Sequence, residues 1–560
     1  MDWQRSFIIG AMLVVLYMLF LEWDGFQTKR FPVVSNTTSS ELIVPQILTT
    51  KKKQAKEDTE DIPESSISTS QKNFIEAPKK NDNYIEDRII TVTTDVLRVH
   101  IDRYGGDIVR VELLDHLQDL KNKETPFLLL NRTANSTYIA QSGLIGINGT
   151  DTKAGRPTFQ ASFNQYQLEN NEDTLIVDLT YNQENTSIVK RYLFKRKDYL
   201  INLEYQIKNQ AKTIWEGGLY GQIKRDSLNP NNVTALGMQP FLGAALTTTE
   251  KNYQKLGFSE IANETFKGSV LGGWVAMVQH YFVSAWVPDQ TTQNNFNIRK
   301  INNQDFYIMG FTSPQVRLKP GEKAELTAGF YAGPKDQYRL EELSPYLDLT
   351  VDYGWLWMIA KPLFWVLYQL HQIIGNWGWS IIMLTVLIKA AFFQLSAKSY
   401  VSMANMRKLQ PEMLRLKELY GDDRQKMSQE TMNLYKREKV NPMGGCLPIL
   451  VQMPVFIALY WVLMESVELR HAPWVLWIND LSVKDPFFVL PLIMGASMFI
   501  QMQLNPTPPD PIQAKVMKIM PIAFTFFFLF FPAGLVLYWT VNNCLSILQQ
   551  WLITRRIENA

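Results

Sequence analysis

Three rhythms of apolar and polar positions divide this chain. Between about Tyr84 and Tyr346 the period is two: Leu97, Val99 and Ile101 alternate with Arg98, His100 and Asp102. Leu175, Val177, Leu179 and Tyr181 repeat the pattern, as do Ile201, Leu203, Tyr205 and Ile207. Gly105-Gly106, Gly217-Gly218, Gly272-Gly273 and Gly333-Pro334 punctuate the runs. Half-buried strands separated by turn residues predict a large antiparallel all-β sandwich domain over 84–346.

The second rhythm is continuous apolarity. Ser6–Leu21 follows Arg5 and is flanked by Trp3 and Trp23; Phe20–Asp24 offers no small residues for cleavage. An uncleaved transmembrane anchor over 1–25 is therefore expected. From 26 to 83 the chain is polar, with Lys51–Lys56 and few aromatics, and reads as a flexible linker. Further apolar runs at 376–396, 445–464, 487–502, 516–531 and 533–552 predict five more spans. Trp355–Ile374 is apolar too, but Lys361, Tyr368 and Gln372 recur on one face beside Gln369, which favours an interfacial amphipathic helix over 347–375. A true span there is the rival. The expected fold class is a polytopic α-helical membrane protein of six spans carrying a large all-β domain.

The third rhythm lies between the second and third spans. Met406, Leu409, Met413, Leu416 and Tyr420 line one helical face; Met427, Thr431 and Leu434 line another. Tyr420-Gly-Asp-Asp423 supplies a helix stop and then a helix start, with Asp422 and Asp423 at the turn. Pro411 should kink or restart the first helix. The segment 397–441 thus predicts a helical hairpin. It is basic, with Arg407, Lys408, Arg415, Lys417, Arg424, Lys426, Lys436, Arg437 and Lys439. Positive residues stay in the cytosol, which places the C-terminal Arg555-Arg556 inside as well and the sandwich outside. The hairpin is either a solvated connector or a docking arm for ribosome or nascent chain; Arg407, Lys408, Arg415, Lys417, Asp422 and Asp423 are its candidate contacts.

One residue interrupts the apolarity. Lys389 sits in Trp377–Phe393 with no acidic residue in the segment. A cation at that depth costs a few kcal/mol or more and points to water, a partner or an anionic substrate. Thr385, Lys389 and Ser396 are expected to share a face, as are Asn542, Ser546 and Gln549 in the last span; Gln452 lies in the third, beside Pro448 and Pro454. If these faces meet, they line a wet cavity. The rival readings are interhelical hydrogen bonding for Gln452 and Asn542, and snorkelling for Lys389. The short runs 487–502 and 516–531 would thin the bilayer beside that cavity.

Composition removes other classes. Net charge is +2 over 560 residues, against general nucleic-acid binding or sequence recognition. Two cysteines, Cys446 and Cys544, build no disulfide framework, and five scattered histidines build no metal site. Asn131, Asn148 and Asn232 begin glycosylation-type triplets by chance in an Asn- and Thr-rich stretch. No nucleophile–base pair, cofactor motif or nucleotide loop stands out, so an enzyme is not expected. A solute transporter with an anion site at Lys389 is the alternative function, although no internal repeat accompanies it.

Asn441-Pro-Met-Gly-Gly-Cys446-Leu-Pro-Ile-Leu-Val-Gln-Met-Pro454, Ser466-Val-Glu-Leu-Arg470 and Phe531-Pro-Ala-Gly-Leu-Val-Leu-Tyr538-Trp539 closely resemble the YidC membrane protein insertases, as do Leu409-Gln-Pro411 and Tyr420–Asp423. The resemblance is specific from about Trp355 to Arg556, and the upstream organisation is similar to that of Gram-negative members. It implies a five-helix insertase core over 376–560, a supersandwich periplasmic domain and residence in the bacterial inner membrane. It implies a groove open to cytosol and lipid whose cation attracts the acidic tail of a nascent membrane protein. The apolar part of that substrate then enters lipid along the third and fifth spans, past Gln452, Phe456, Tyr538 and Trp539. The Sec translocon, the ribosome and membrane lipids are the implied partners. Lys389 stands where the family usually carries arginine, and Trp539 where several relatives have tyrosine. The chain stops soon after Arg556, so ribosome contact is expected at the hairpin and the 503–515 loop.

Overall fold

Period-two alternation becomes two stacked sheets. The computed structural model describes residues 61–63 and 88–558, apart from short stretches at 184, 230–239, 302–303, 421–422, 439, 441–446 and 506–510. The expected anchor and nearly all of the expected linker lie outside the described residues.

The larger sheet has 11 strands, the smaller 8. The smaller is built around Thr174–Gln183, Thr186–Lys195, Leu200–Asn209 and Lys323–Pro334, paired antiparallel in that order. In Thr186–Lys195 every second residue is buried, among them Ile188, Tyr192 and Phe194. In Leu200–Asn209 Ile201, Leu203, Tyr205 and Ile207 point inward. They meet Val99, Ile101, Leu219, Ile223 and Phe311 of the larger sheet in one core. Burying a side chain of that size is worth about 1.5–3 kcal/mol, and the core repeats the contribution along every strand.

A polar knot interrupts this core. Arg156 is 1 % exposed in its side chain and bridges Asp107 and Asp151. Lys190, fully buried, donates to the carbonyls of Gly105 and Ser142 at 2.9 and 3.0 Å. Burial lowers the Lys190 pKa to about 7. Gly105 and Gly106 take positive φ, 76° and 64°, and a Cβ on Gly106 would strike the Lys190 stem. Only glycine fits that turn.

Beyond Tyr346 the chain is helical. Two 3-10 turns, Leu347–Thr350 and Gly354–Leu356, lead into α1, Trp357–Ile374. Then come α2, Trp377–Ala391; α3, Phe393–Lys408; α4, Gln410–Tyr420; and α5, Arg424–Arg437. The last helices are α6, Leu447–Glu465; α7, Val489–Leu504; α8, Pro511–Phe528; and α9, Ala533–Glu558. α9 is the hub, packing on α2, α3, α6 and α7, while α6 also packs on α1 and α3. Leu384, Ile388, Leu459, Val462, Met494, Leu535 and Val536 form the shared interior.

The outward faces of α1, α2, α7, α8 and α9 are apolar as well. Trp357, Met358, Trp365, Met383, Leu492, Phe499, Ile522, Phe526 and Leu552 are all exposed. Helices apolar all round belong in an apolar solvent. Among the described residues no single helix is long and apolar enough to cross a membrane; α2 and α3 pass together, bent by 67° between them. The bend corrects one expectation. Residues 376–396 are not one straight helix, so Ser396 lies past the elbow at Phe392 and does not share a helical face with Thr385 and Lys389. The expected polar face of α1 is engaged with neighbours: Lys361 Nζ donates to Asp348 Oδ2 at 2.6 Å, and Tyr368 packs on Tyr338.

Sandwich and helices are riveted together at a small joint. Lys335 Nζ meets Glu465 Oε2 at 2.6 Å, the two side chains 1 % and 2 % exposed. His280 Nε2 bonds the Met464 carbonyl oxygen at 2.8 Å, and burial holds the His280 pKa down at about 3, so the ring stays neutral. Arg470 donates to the Leu117 carbonyl at 2.7 Å and lies over the Phe127 and Phe282 rings.

Candidate functional site

α2 starts because Asn376 caps it, its side-chain oxygen accepting from the Trp379 amide at 3.1 Å. The apolar sequence then carries the helix about 18 Å to Lys389. Lys389 is 7 % exposed. Its ammonium does not turn toward lipid; it enters the bundle and donates to Ser546 Oγ on α9 at 2.7 Å and to Gln452 Oε1 on α6 at 3.4 Å. The other half of the Gln452 amide donates to Asn542 Oδ1 at 2.5 Å. The Ser546 hydroxyl in turn donates to the Asn542 backbone carbonyl at 2.7 Å. Three helices thus converge on one cation, and each contact is a neutral oxygen. Among the described residues no carboxylate pairs with it.

Lys389, Gln452, Asn542 and Ser546 are brought together. Thr385 is buried but spends its hydroxyl on the Ile381 carbonyl, 2.7 Å away in its own helix. Ser396 is buried in the first turn of α3, beyond the elbow. Pro454 lies inside α6, and Phe456, two residues on, is half-buried. The Phe456 ring sits 4.4 Å edge-on from Trp539 and 6.1 Å from Tyr538, stacked. Tyr538 is buried and Trp539 half-buried, so this aromatic group lies between the polar cluster and the start of α9.

That end is plugged. Ala533 and Gly534 donate to the carbonyls of Val483 and Leu481 at 2.7 and 2.9 Å, and Asn376 Nδ2 to Pro473 O at 3.2 Å. Leu469, Ile478 and Leu481 are buried beneath this cover. Lys389 lies toward the other end, where α3 leads into the hairpin.

In the hairpin α3 ends at Lys408 and α4 begins at Gln410, placing Pro411 in a first turn, where its missing N–H costs nothing. Met413 and Leu434 are buried between α4 and α5, and Tyr435 donates to Met413 Sδ at 3.4 Å. Arg407, Lys408, Arg415 and Lys417 are exposed. Asp422 lies outside the described residues. Asp423 caps α5, accepting from the Gln425 and Lys426 amides at 3.1 Å each. Asp423→Ala should cost the hairpin about 1 kcal/mol and Asp423→Asn only a fraction of it, read as faster hydrogen exchange at those two amides.

A second polar seam escaped the sequence reading. Asn543 Nδ2 donates to Ser497 Oγ at 3.1 Å, and Gln550 Nε2 to Leu504 O and Asn505 Oδ1 at 3.1 Å each. The signal was available: Asn543 and Gln550 are seven apart, two turns of one face of α9, adjacent to the face of Asn542, Ser546 and Gln549.

The family model of the YidC periplasmic domain matches residues 89–366, and that of the 60Kd inner membrane protein matches 369–560. The membrane protein insertase YidC of Cellvibrio japonicus is 55% identical over 560 residues, covering 100% of this chain and 99% of that protein. Its namesake from Saccharophagus degradans is 52% identical over 562 residues, covering 100% of both, and that of Pseudomonas aeruginosa 50% over 587, covering 100% and 99%. A crystal structure of an active YidC insertase with its first transmembrane domain resolved aligns at TM-score 0.37 and 16% identity, covering 82% of this chain and 92% of that one. Identity at this level along the whole chain, with both family matches, makes the protein a member of the YidC membrane protein insertase family.

Proposed function

We propose that this chain inserts and folds integral membrane proteins through the polar cluster at Lys389, alone or beside the Sec translocon. The observation that carries the mechanism is the ammonium of Lys389, held among the described residues by Ser546 and Gln452 and by no carboxylate. Hydroxyl and amide oxygens keep a cation in place without neutralising it, so its field remains available to an arriving carboxylate. The acidic, hydrophilic end of a nascent chain is drawn partway into the bundle. Its apolar stretch then leaves sideways past Phe456 and Trp539 into lipid. Translation, the membrane potential and substrate hydrophobicity supply the free energy.

In the same reading the chain has six spans. The sandwich lies in the periplasm, the hairpin and C-terminus in the cytoplasm, and the plug at 466–488 faces the periplasm. The exposed arginines and lysines of the hairpin meet the ribosome, and the apolar outer faces meet lipid. Solute transport draws no support from the relatives, which are named for insertion.

Photocrosslinking tests the route. A photoreactive residue replacing Phe456 should capture a stalled, ribosome-bound membrane protein in inner-membrane vesicles, and one replacing Trp365 on the outer face of α1 should not. Equal capture at both positions, or none at Phe456, would refute it.

A further inference from the structure

Ahead of the sandwich the described residues include one isolated stretch, Asp61-Ile62-Pro63, and it is embedded in the larger sheet. Asp61 is 1 % exposed and its carboxylate pairs with Lys224 Nζ. Its main-chain carbonyl accepts from Gln222 Nε2 at 3.2 Å and from an Arg299 guanidinium nitrogen at 3.0 Å. Ile62 is buried against Ile145 and Tyr220. Tyr220, Gln222 and Lys224 alternate along the strand Trp215–Arg225 with Leu219 and Ile223, which belong to the sandwich core. The gripping residues therefore occupy the face turned away from that core.

Three features distinguish this from a passing contact. The lysine is itself buried, and Asp61 is its ion-pair partner among the described residues. A buried ammonium without its carboxylate is costly, so the sheet is built to receive one. Main-chain recognition by Gln222 and Arg299 and an apolar seat for the next side chain add the elements of a short-motif receptor. The seat also continues into a cleft of about 820 Å³, bordered by Pro63 and lined by Asn295, Asn297 and Ile308.

We propose that Asp61-Ile62-Pro63 is a latch. A receptor site on the outer face of the larger sheet grips this amino-terminal segment in cis, so the chain is held to the sandwich at residue 61, well before the first strand at Ile89.

The test uses the full chain in inner-membrane vesicles. With p-benzoylphenylalanine replacing Pro63, whose side chain borders open cleft, irradiation should give an intramolecular crosslink that maps to the peptides containing Asn297 or Ile308. Adding Asp61→Asn should reduce that crosslink about fivefold or more, while Asp61→Glu retains most of it. Because Asp61 precedes the sandwich, the variant leaves the strands' own sequence intact. Crosslinks scattered over the domain, or a yield indifferent to Asp61→Asn, would overturn the latch.

Discussion

Lys389→Ala should fail to insert membrane proteins whose translocated tails carry acidic residues, while substrates with uncharged tails are inserted nearly as by the parent. Losing a point charge that meets one carboxylate at partial depth is worth on the order of 1–3 kcal/mol, about 5- to 150-fold in insertion rate. Lys389→Arg should restore insertion. Attraction needs charge rather than the planar fork, and Ser546 and Gln452 present acceptors to either head group. Depletion of the parent, complementation by each variant and protease protection of a single-span substrate give the readout. If the alanine variant inserts every substrate equally, Lys389 has no part in the mechanism.

The second large effect is expected at the joint. Glu465→Gln leaves Lys335 buried without its counter-charge, and Lys335→Met strands Glu465 in the same way. Removing one member of a buried pair typically costs about 3–5 kcal/mol. Either variant in detergent should unfold at a clearly lower temperature and expose the segment around Ser344 to protease. The double variant Lys335→Met/Glu465→Leu should recover most of the loss, since two apolar side chains leave no orphan charge. Losses that simply add in the double variant would show that the pair carries no coupling.

How far these features were legible depends on the length scale of the signal. Period two along Leu97–Asp102 and Ile201–Ile207 is local, and the strands follow from it directly. The convergence of Lys389, Gln452, Asn542 and Ser546 was also legible, because a polar residue in an apolar span has few places to go. The finer assignment of Thr385 was not. A threonine in a helix can return its hydroxyl to the carbonyl four residues back, and Thr385 does so. Ser396 misled for another reason: helical spacing presumes a straight axis, and the axis turns at Phe392. Least legible were contacts distant in sequence. Nothing local marks Arg156, Lys190, Lys335 or Glu465 as buried, since each is an ordinary charged residue until the fold encloses it. The hairpin lay between these cases: its seam of Met413 and Leu434 is periodic, but the Arg437–Glu412 pair that closes it at 2.8 Å depends on the two helices meeting.

The 67° elbow between α2 and α3 separates two mechanical duties. Both limbs are clamped by α9: Lys389 sits on the one before the elbow, and the basic arm joins the far end of the other, at Leu409. An arm attached there should swing under a heavy cargo while the ammonium stays at its station. Distances measured by paired spin labels should accordingly change at α4 on ribosome loading and hold constant across α2 and α9.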